Sequence, residues 1–387
     1  MKLPSPILAL LAFAPLPTGG AVAMAEAPAL SGFPVDVAIP KAPAPVVTAG
    51  RARLLYELRV TNFHTAPIDL AALDLLDDAG TVLAHYAPAD LAAMIGTIGP
   101  EPTPGTERTL PGGRTGVVFI DLALPTGAKV PARLGHRLTF SLTLPDGKTI
   151  ERSLTGPATT VGAPAVVIAP PLAGDGWLAA NGLAAPDHRR SWNAINGREH
   201  LAQRFAIDWV RLDRKGRFIV GDPGRNESYP GYGAPVLAVT DARVVSIIND
   251  LPENAGANPQ EDRRPTVETI SGNTVILELG NGAYALYGHL QPGSVLVRPG
   301  ETVHTGQVLA RLGNSGNSDA PHLHFQLMDA PSALGAEGLP YAFTRFTVAG
   351  LASDPAVLEG KAAWKAAGQS HAVVAEFPDN NAVVSFP

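Results

Sequence analysis

The chain has 387 residues and no cysteine, and its 29 Lys and Arg against 35 Asp and Glu give a formal net charge of −6. The missing thiols exclude a disulfide scaffold and thiolate metal ligands, and the acidic balance argues against nucleic acid as a partner, since phosphate neutralisation needs clustered Lys and Arg. With 40 Gly, 37 Pro and 45% hydrophobic residues, the composition points to many turns joining short strands, in a chain long enough for two cores.

At the amino end, Met1-Lys2 is a short basic segment, residues 7–16 are apolar, and Ala23-Met24-Ala25 fits a small-x-small cleavage pattern before Glu26. Residues 1–25 therefore read as a signal peptide removed on export, which predicts a periplasmic or extracellular protein. No later stretch reaches about 18 apolar residues, so no integral membrane segment is expected in the mature chain. A Pro/Ala-rich linker covers residues 26–50. Over residues 51–156, strand patterns at 53–62, 68–76, 81–86, 115–124 and 136–144 alternate with the turns Asp77-Asp78-Ala79-Gly80, Pro111-Gly112-Gly113 and Pro145-Asp146-Gly147. That spacing predicts an immunoglobulin-like β-sandwich, serving as spacer, wall-binding module or lid. Residues 70–76 also read as a short helix candidate, as do 363–367. His64, His85 and His136 lack companions and read as ordinary polar positions. A second linker spans residues 155–164.

Beyond it, Trp177, Asn181, Trp192 and Trp209 are candidates for substrate contact, although core packing is the simpler role for the strand tryptophans. The basic groups His188-Arg189-Arg190, Arg211 with Arg214 and Lys215, and Arg263-Arg264 read as solvated turns or as contacts to anionic wall polymers. Asn196-Gly197 is a strong hairpin signal. In Arg204-Phe205-Ala206-Ile207-Asp208-Trp209-Val210 a single carboxylate sits inside an apolar strand pattern. An unpaired buried carboxylate costs several kcal/mol, so Asp208 requires a cation or strong donors. Residues 251–266 form a polar excursion that reads as groove wall or decoration. Tyr284-Ala285-Leu286-Tyr287-Gly288-His289-Leu290 is a strand ending in histidine. The glycine-rich turn from Gly313 leads into His322-Leu323-His324, whose i, i+2 spacing on a strand puts both imidazoles on one face, about 7 Å apart. One can then ligate a metal while the other addresses water, a metallohydrolase arrangement. The tail, through residues 372–374 and 382–386, is expected to add an edge strand.

Taken in order, Asp208, the Tyr287-Gly288-His289-Leu290 segment and His322-Leu323-His324 resemble the lysostaphin/LytM-type zinc endopeptidases over residues 166–345. Gly233-Ala234-Pro235-Val236, Gly272-Asn273-Thr274-Val275 and Val303-His304-Thr305-Gly306-Gln307-Val308-Leu309 match as linking text. The resemblance implies a mainly β chain: the sandwich, then an antiparallel catalytic sheet of the duplicated-hybrid-motif type, then residues 346–387 packing on it. It implies one Zn2+ per chain with Asp208 and His324 as ligands, and catalytic roles for His289 and His322 beside the reacting water. His322 is expected to take the water proton and pass it to the leaving amine, and His289 to bond the oxyanion. The family usually places a further ligand histidine four residues before the aspartate, and here that position is Arg204, which has no lone pair to give. His200 and His188 are the substitutes at hand. If residues 199–210 form one strand, His200 lies about 26 Å from Asp208. A hairpin at Asn196-Gly197 with a bulge or a three-residue loop instead brings His188 diagonal to Asp208, so His188 is favoured. The function implied is exported zinc-dependent hydrolysis of peptide bonds in peptidoglycan stem cross-links or bridges. The alternatives are an inactive LytM-like protein that binds wall or activates a hydrolase, and a peptidase of secreted proteins.

Overall fold

The strand Arg133–Thr143 shows how the amino-terminal part is built. Leu134, His136, Leu138, Phe140 and Leu142 are buried and their neighbours reach outward, the two-residue period of a sheet with one solvated face. The computed structural model describes residues 33–98, 102–144, 146–257 and 266–387. The expected signal peptide over 1–25 and the Arg263-Arg264 pair lie outside the described residues.

Arg133–Thr143 belongs to an antiparallel sheet ordered Thr149–Thr155, Arg133–Thr143, Ile68–Leu76, Val82–Tyr86. A second antiparallel sheet runs Val35–Ala38, Arg51–Asn62, Thr115–Ala123, Ile95–Thr97. The two sheets meet where the Tyr56 hydroxyl lies 2.8 Å from His136 Nε2. None of the three histidines here is without a partner: His85 Nδ1 is 2.6 Å from Asp74, and His64 Nδ1 accepts from the Ala66 amide at 2.9 Å.

Neither short helix expected from the sequence forms. Residues 70–76 lie in the strand Ile68–Leu76, where a bulge between Leu70 and Ala72 puts Leu70 and Leu73 on the same buried face. That i, i+3 burial imitates a helix. Residues 363–367 are held out of a helix by tertiary bonds, the Trp364 amide to Gly216 O at 2.7 Å and its indole N–H to Leu351 O at 3.1 Å. Among the described residues no helix is long and apolar enough to cross a membrane.

The larger antiparallel sheet carries the candidate site. Its central strands are, in order, Ala242–Ile248, Asn273–Gly280, Ala283–Leu290, Leu323–Met328, Ile207–Arg211, Gly174–Ala180, Ala382–Phe386 and Phe346–Leu351. The carboxyl-terminal strand is thus interior, between Gly174–Ala180 and Phe346–Leu351, and the edge belongs to His371–Val373. Its Val383 and Val384 are buried, which an edge strand would not require. One face of the sheet presents Trp209, Tyr287, Phe325 and Leu327 to an apolar core that also holds Phe343 and Phe386. The alternate residues of the same strands, Asp208, His324, Gln326 and Gly288, therefore share the other face.

The strand Arg51–Asn62 breaks the alternation, since Leu54 through Leu58 are all buried. Tyr56 faces the sheet that carries Arg133–Thr143, while Leu55 joins the core of the larger sheet with Phe205 and Tyr341. A strand covered on both faces reads as a continuous apolar run. Residues 35–387 accordingly form one compact unit with a shared core.

Candidate metal centre

Register brings the first two groups together. Asp208 and His324 are directly opposed on adjacent strands, with His324 Nδ1 2.8 Å from Asp208 Oδ1. Gln326, two residues on and on the same face, has its Oε1 2.9 Å from His324 Nε2, and its amide nitrogen donates to Ala333 O at 3.3 Å. That second bond orients the carboxamide, so His324 Nε2 is the donor and Nδ1 turns a lone pair to Asp208.

His289 reaches the site by a backbone irregularity. Tyr287 points into the core, so an unbroken strand would send His289 the same way. Instead His289 adopts a left-handed conformation, φ 59°, at a register shift between its strand and Asn273–Gly280. Such a conformation costs about 1–2 kcal/mol outside glycine. It is held by the His289 amide donating to Ser271 O and Nδ1 donating to Ser315 O, both at 2.7 Å.

His188 also arrives, by a route other than the one expected. The Asn196-Gly197 turn does form, with both residues left-handed, but it joins only Asn193–Ile195 to Arg198–His200 and does not continue into Ile207–Arg211. His188 sits on a helical turn, Pro186–Arg189, opened by Pro186 at its first position. Its Nδ1 donates to Asn181 O at 2.7 Å, and its Nε2 lies 3.2 Å from Asp208 Oδ2. His200 is outside the cluster, 3.8 Å from Glu337. Arg204 is turned away and buried against Glu57 and Glu337, at 2.8 Å from each.

The turn before His322 is built on close backbone approach. Gly316 has φ +74°, and a Cβ there would lie 2.3 Å from Gly272 N. Asn254 spans the turn from outside, donating to Gly316 O and Ser318 O, each at 2.9 Å. The described start of the 251–266 excursion is thus a clamp on this turn. His322 Nδ1 lies 2.8 Å from Ala320 O, and Nε2 lies 3.4 Å from Asp208 Oδ1.

Three imidazoles whose other ring nitrogen is already donating therefore aim lone pairs at one carboxylate. Acceptors facing acceptors repel unless a proton or a cation lies between them. Burial opposes charge on all of these groups, yet His188 and His322 hold Asp208 well below the usual carboxylate range, and Asp208 pushes both imidazoles above their ordinary value. Burial, with His322 and His324 adjacent, drives His289 well below its ordinary value, so its ring stays neutral. The ligand atoms of His188, Asp208 and His324 lie within 4.8 Å of one another, and two imidazoles with a carboxylate suit a borderline divalent cation.

Asn181, expected to contact substrate, instead donates to Asp208 Oδ2 at 2.9 Å. Trp177 and Trp209 are core residues. Arg189, read as part of a solvated turn, is buried. Gln326 and Asn254 were not singled out from the sequence. The i, i+2 step from His324 was a signal for Gln326, and none pointed to Asn254.

Fold and site together define a candidate metal centre carried on an antiparallel sheet. Residues 228–335 match the model of peptidase family M23. The matched span includes His289, His322 and His324 and leaves His188 and Asp208 outside. The peptidoglycan DD-endopeptidase ShyA of Vibrio cholerae is 38% identical over 58 residues, which is 15% of this chain and only 13% of that relative's length. Among solved structures, the catalytic domain of lysostaphin from Staphylococcus simulans is 24% identical, covering 32% of this chain and 84% of that one, with a TM-score of 0.21. A zinc-containing peptidase from Vibrio cholerae is 14% identical, covering 71% of this chain and 77% of that one, with a TM-score of 0.23.

Proposed function

We propose that this protein is an exported zinc-dependent endopeptidase that cuts peptide bonds in peptidoglycan stem cross-links or bridges. His188, Asp208 and His324 are the zinc ligands in this reading, and His289 and His322 are catalytic. The observation that carries it is the convergence of His188 Nε2, His322 Nε2 and His324 Nδ1 on the Asp208 carboxylate. The match of residues 228–335 to a peptidase family model and the 58-residue likeness to a peptidoglycan endopeptidase support the substrate class, and the expected signal peptide supports action in the periplasm or outside the cell.

A divalent ion held by this donor set supplies Lewis acidity toward a peptide carbonyl and makes water a stronger acid. The chain's own residues handle the proton. His289 and His322 are both anchored through Nδ1 to a carbonyl, so both present Nε2 to the site, with ring centroids 4.6 Å apart. A neutral ring accepts a proton at that atom, and the imidazolium then donates it. Asp208 raises the basicity of His322, which suits it to take the water proton and hand it to the leaving amine, whereas burial with His322 and His324 adjacent makes His289 the weaker base.

The test is zinc content of protein purified without chelator, for the parent, His188→Ala and His200→Ala, beside digestion of purified peptidoglycan. The reading expects about one zinc, lost only with His188→Ala, and zinc-dependent release of new amino termini from wall. Zinc without wall cleavage would favour the binding or activating alternative, and loss with His200→Ala alone would sink the ligand assignment.

A further inference from the structure

The segment that delivers His188 rests on the amino-terminal sheets. Arg189, 4% exposed, donates from Nη2 to Tyr56 O at 3.3 Å and to Ile120 O, and its Nε lies 3.9 Å from Glu57 Oε1. Trp192 packs against Phe119 with centroids 6.0 Å apart, and Leu201 joins Phe119 and Val117 in one apolar cluster. At the end of the segment, Arg204 donates to Glu57 from both Nε and Nη2, at 3.0 and 2.8 Å. Glu57 is 1% exposed, so a single buried carboxylate faces guanidinium groups from both ends of residues 189–204.

The entry to this segment is strained. Asn181 and Ala184 have φ of 49° and 65°. Left-handed backbone costs about 1–2 kcal/mol at an ordinary L-residue, less at asparagine, and persists only where surrounding structure holds it. Contact from the larger sheet reaches the His188 ring, through Asn181 O and Ala206 O. The backbone that carries the ring is held from the other side.

We infer that Glu57, acting through Arg189 and Arg204, is a positioning residue for the metal centre. The amino-terminal sheets are then a structural half of that centre, and neither a separable wall-binding module nor a lid. The position where the family usually has a ligand histidine has become the fastening between the two parts. The metal half of this inference rests on the proposed function; the ordering of residues 182–204 does not.

The test uses the full chain with Glu57→Gln, which keeps an acceptor and removes the charge, and Trp192→Ala, which loosens the same contact without stranding buried cations. Glu57→Asp serves as the conservative rescue. Three readouts apply: amide hydrogen exchange after chelation, zinc affinity by competition, and the visible absorption of the Co2+-loaded protein. In both variants exchange should speed up over residues 182–204 while residues 273–290 keep the parent's protection. Zinc affinity should fall about tenfold or more with Glu57→Gln, by less with Trp192→Ala, and recover in part with Glu57→Asp, as for groups that orient metal ligands. The Co2+ bands should weaken with Glu57→Gln as the His188 nitrogen is lost. Zinc affinity and Co2+ bands equal to the parent's, in variants whose 182–204 segment has lost protection, would overturn the inference alone, as would unchanged exchange. A parent that binds no zinc overturns the proposed function and the metal half together.

Discussion

Gln326 fixes the tautomer of His324: its Oε1 accepts from His324 Nε2 at 2.9 Å while its amide nitrogen is committed to Ala333 O at 3.3 Å. Lysine or leucine could fill the same space, but only an acceptor keeps the His324 Nδ1 lone pair on Asp208. Gln326→Leu should therefore lower zinc affinity by about 10–100-fold, and Gln326→Glu should retain it. Competition against a chromophoric chelator measures both, and parental affinity in Gln326→Leu would remove the tautomer argument.

Arg204→His restores the residue that the resembled family usually has four positions before the aspartate, and it should fail to restore a ligand. The side chain at 204 faces Glu57 and Glu337, away from Asp208. Removing the guanidinium leaves Glu57 buried with reduced compensation, a loss of about 3–5 kcal/mol. Urea unfolding should register that loss, and zinc titration should show no gain. Tighter zinc binding would mean that position 204 can turn into the site.

Asn254→Ala removes donors from the carbonyls of Gly316 and Ser318; Gly316 O keeps the Ser318 amide at 3.1 Å, so the cost falls on Ser318 O, at roughly 1–3 kcal/mol. The turn leads into His322 and holds His289 through Ser315 O, and neither belongs to the proposed ligand set. The expected signature is a kcat reduced about tenfold or more, since small misplacements of a reacting group are costly, with zinc content unchanged. Loss of zinc in this variant would show that the turn also supports the ligands.

His136 gives a pH dependence far from the metal centre. Burial pushes its pKa below the ordinary 6.5, with the Pro157 carbonyl opposing. Between the lowered folded value and 6.5 the unfolded chain binds more protons, so this contribution to stability is complete above that range and is lost as pH falls through it. His136→Gln can still bond the Tyr56 hydroxyl and does not titrate. The urea midpoint of the parent should drop more between about pH 8 and about pH 5 than that of the variant. Equal slopes in the two proteins would contradict this assignment.

Strand period alone was enough to put His322 and His324 on one face, and the need to compensate Asp208 followed from a carboxylate in an apolar run. Period alone would have lost His289, whose side chain reaches the site only because its backbone turns left-handed at a bulge. His188 was picked by a hairpin argument that the chain does not follow: the hairpin exists, but a proline-opened helical turn does the delivery. Arg204 was legible as a departure and illegible as a fastening, because its partner Glu57 lies 147 residues away in sequence. The burial of Arg189 has the same origin. A basic triplet looks solvated until a second layer is laid over it.

The strand Gly174–Ala180 lies between Ile207–Arg211, which bears Asp208, and Ala382–Phe386. During synthesis residues 174–180 are made some two hundred residues before their second neighbour. Through that interval the strand beside Asp208 has a bare hydrogen-bonding edge, with Trp177 and Leu178 on it, and bare edges recruit strands from other chains. A product terminated before residue 382 keeps that edge permanently. The strand Ala382–Phe386 thus closes an edge beside Asp208 that would otherwise be open to strand addition.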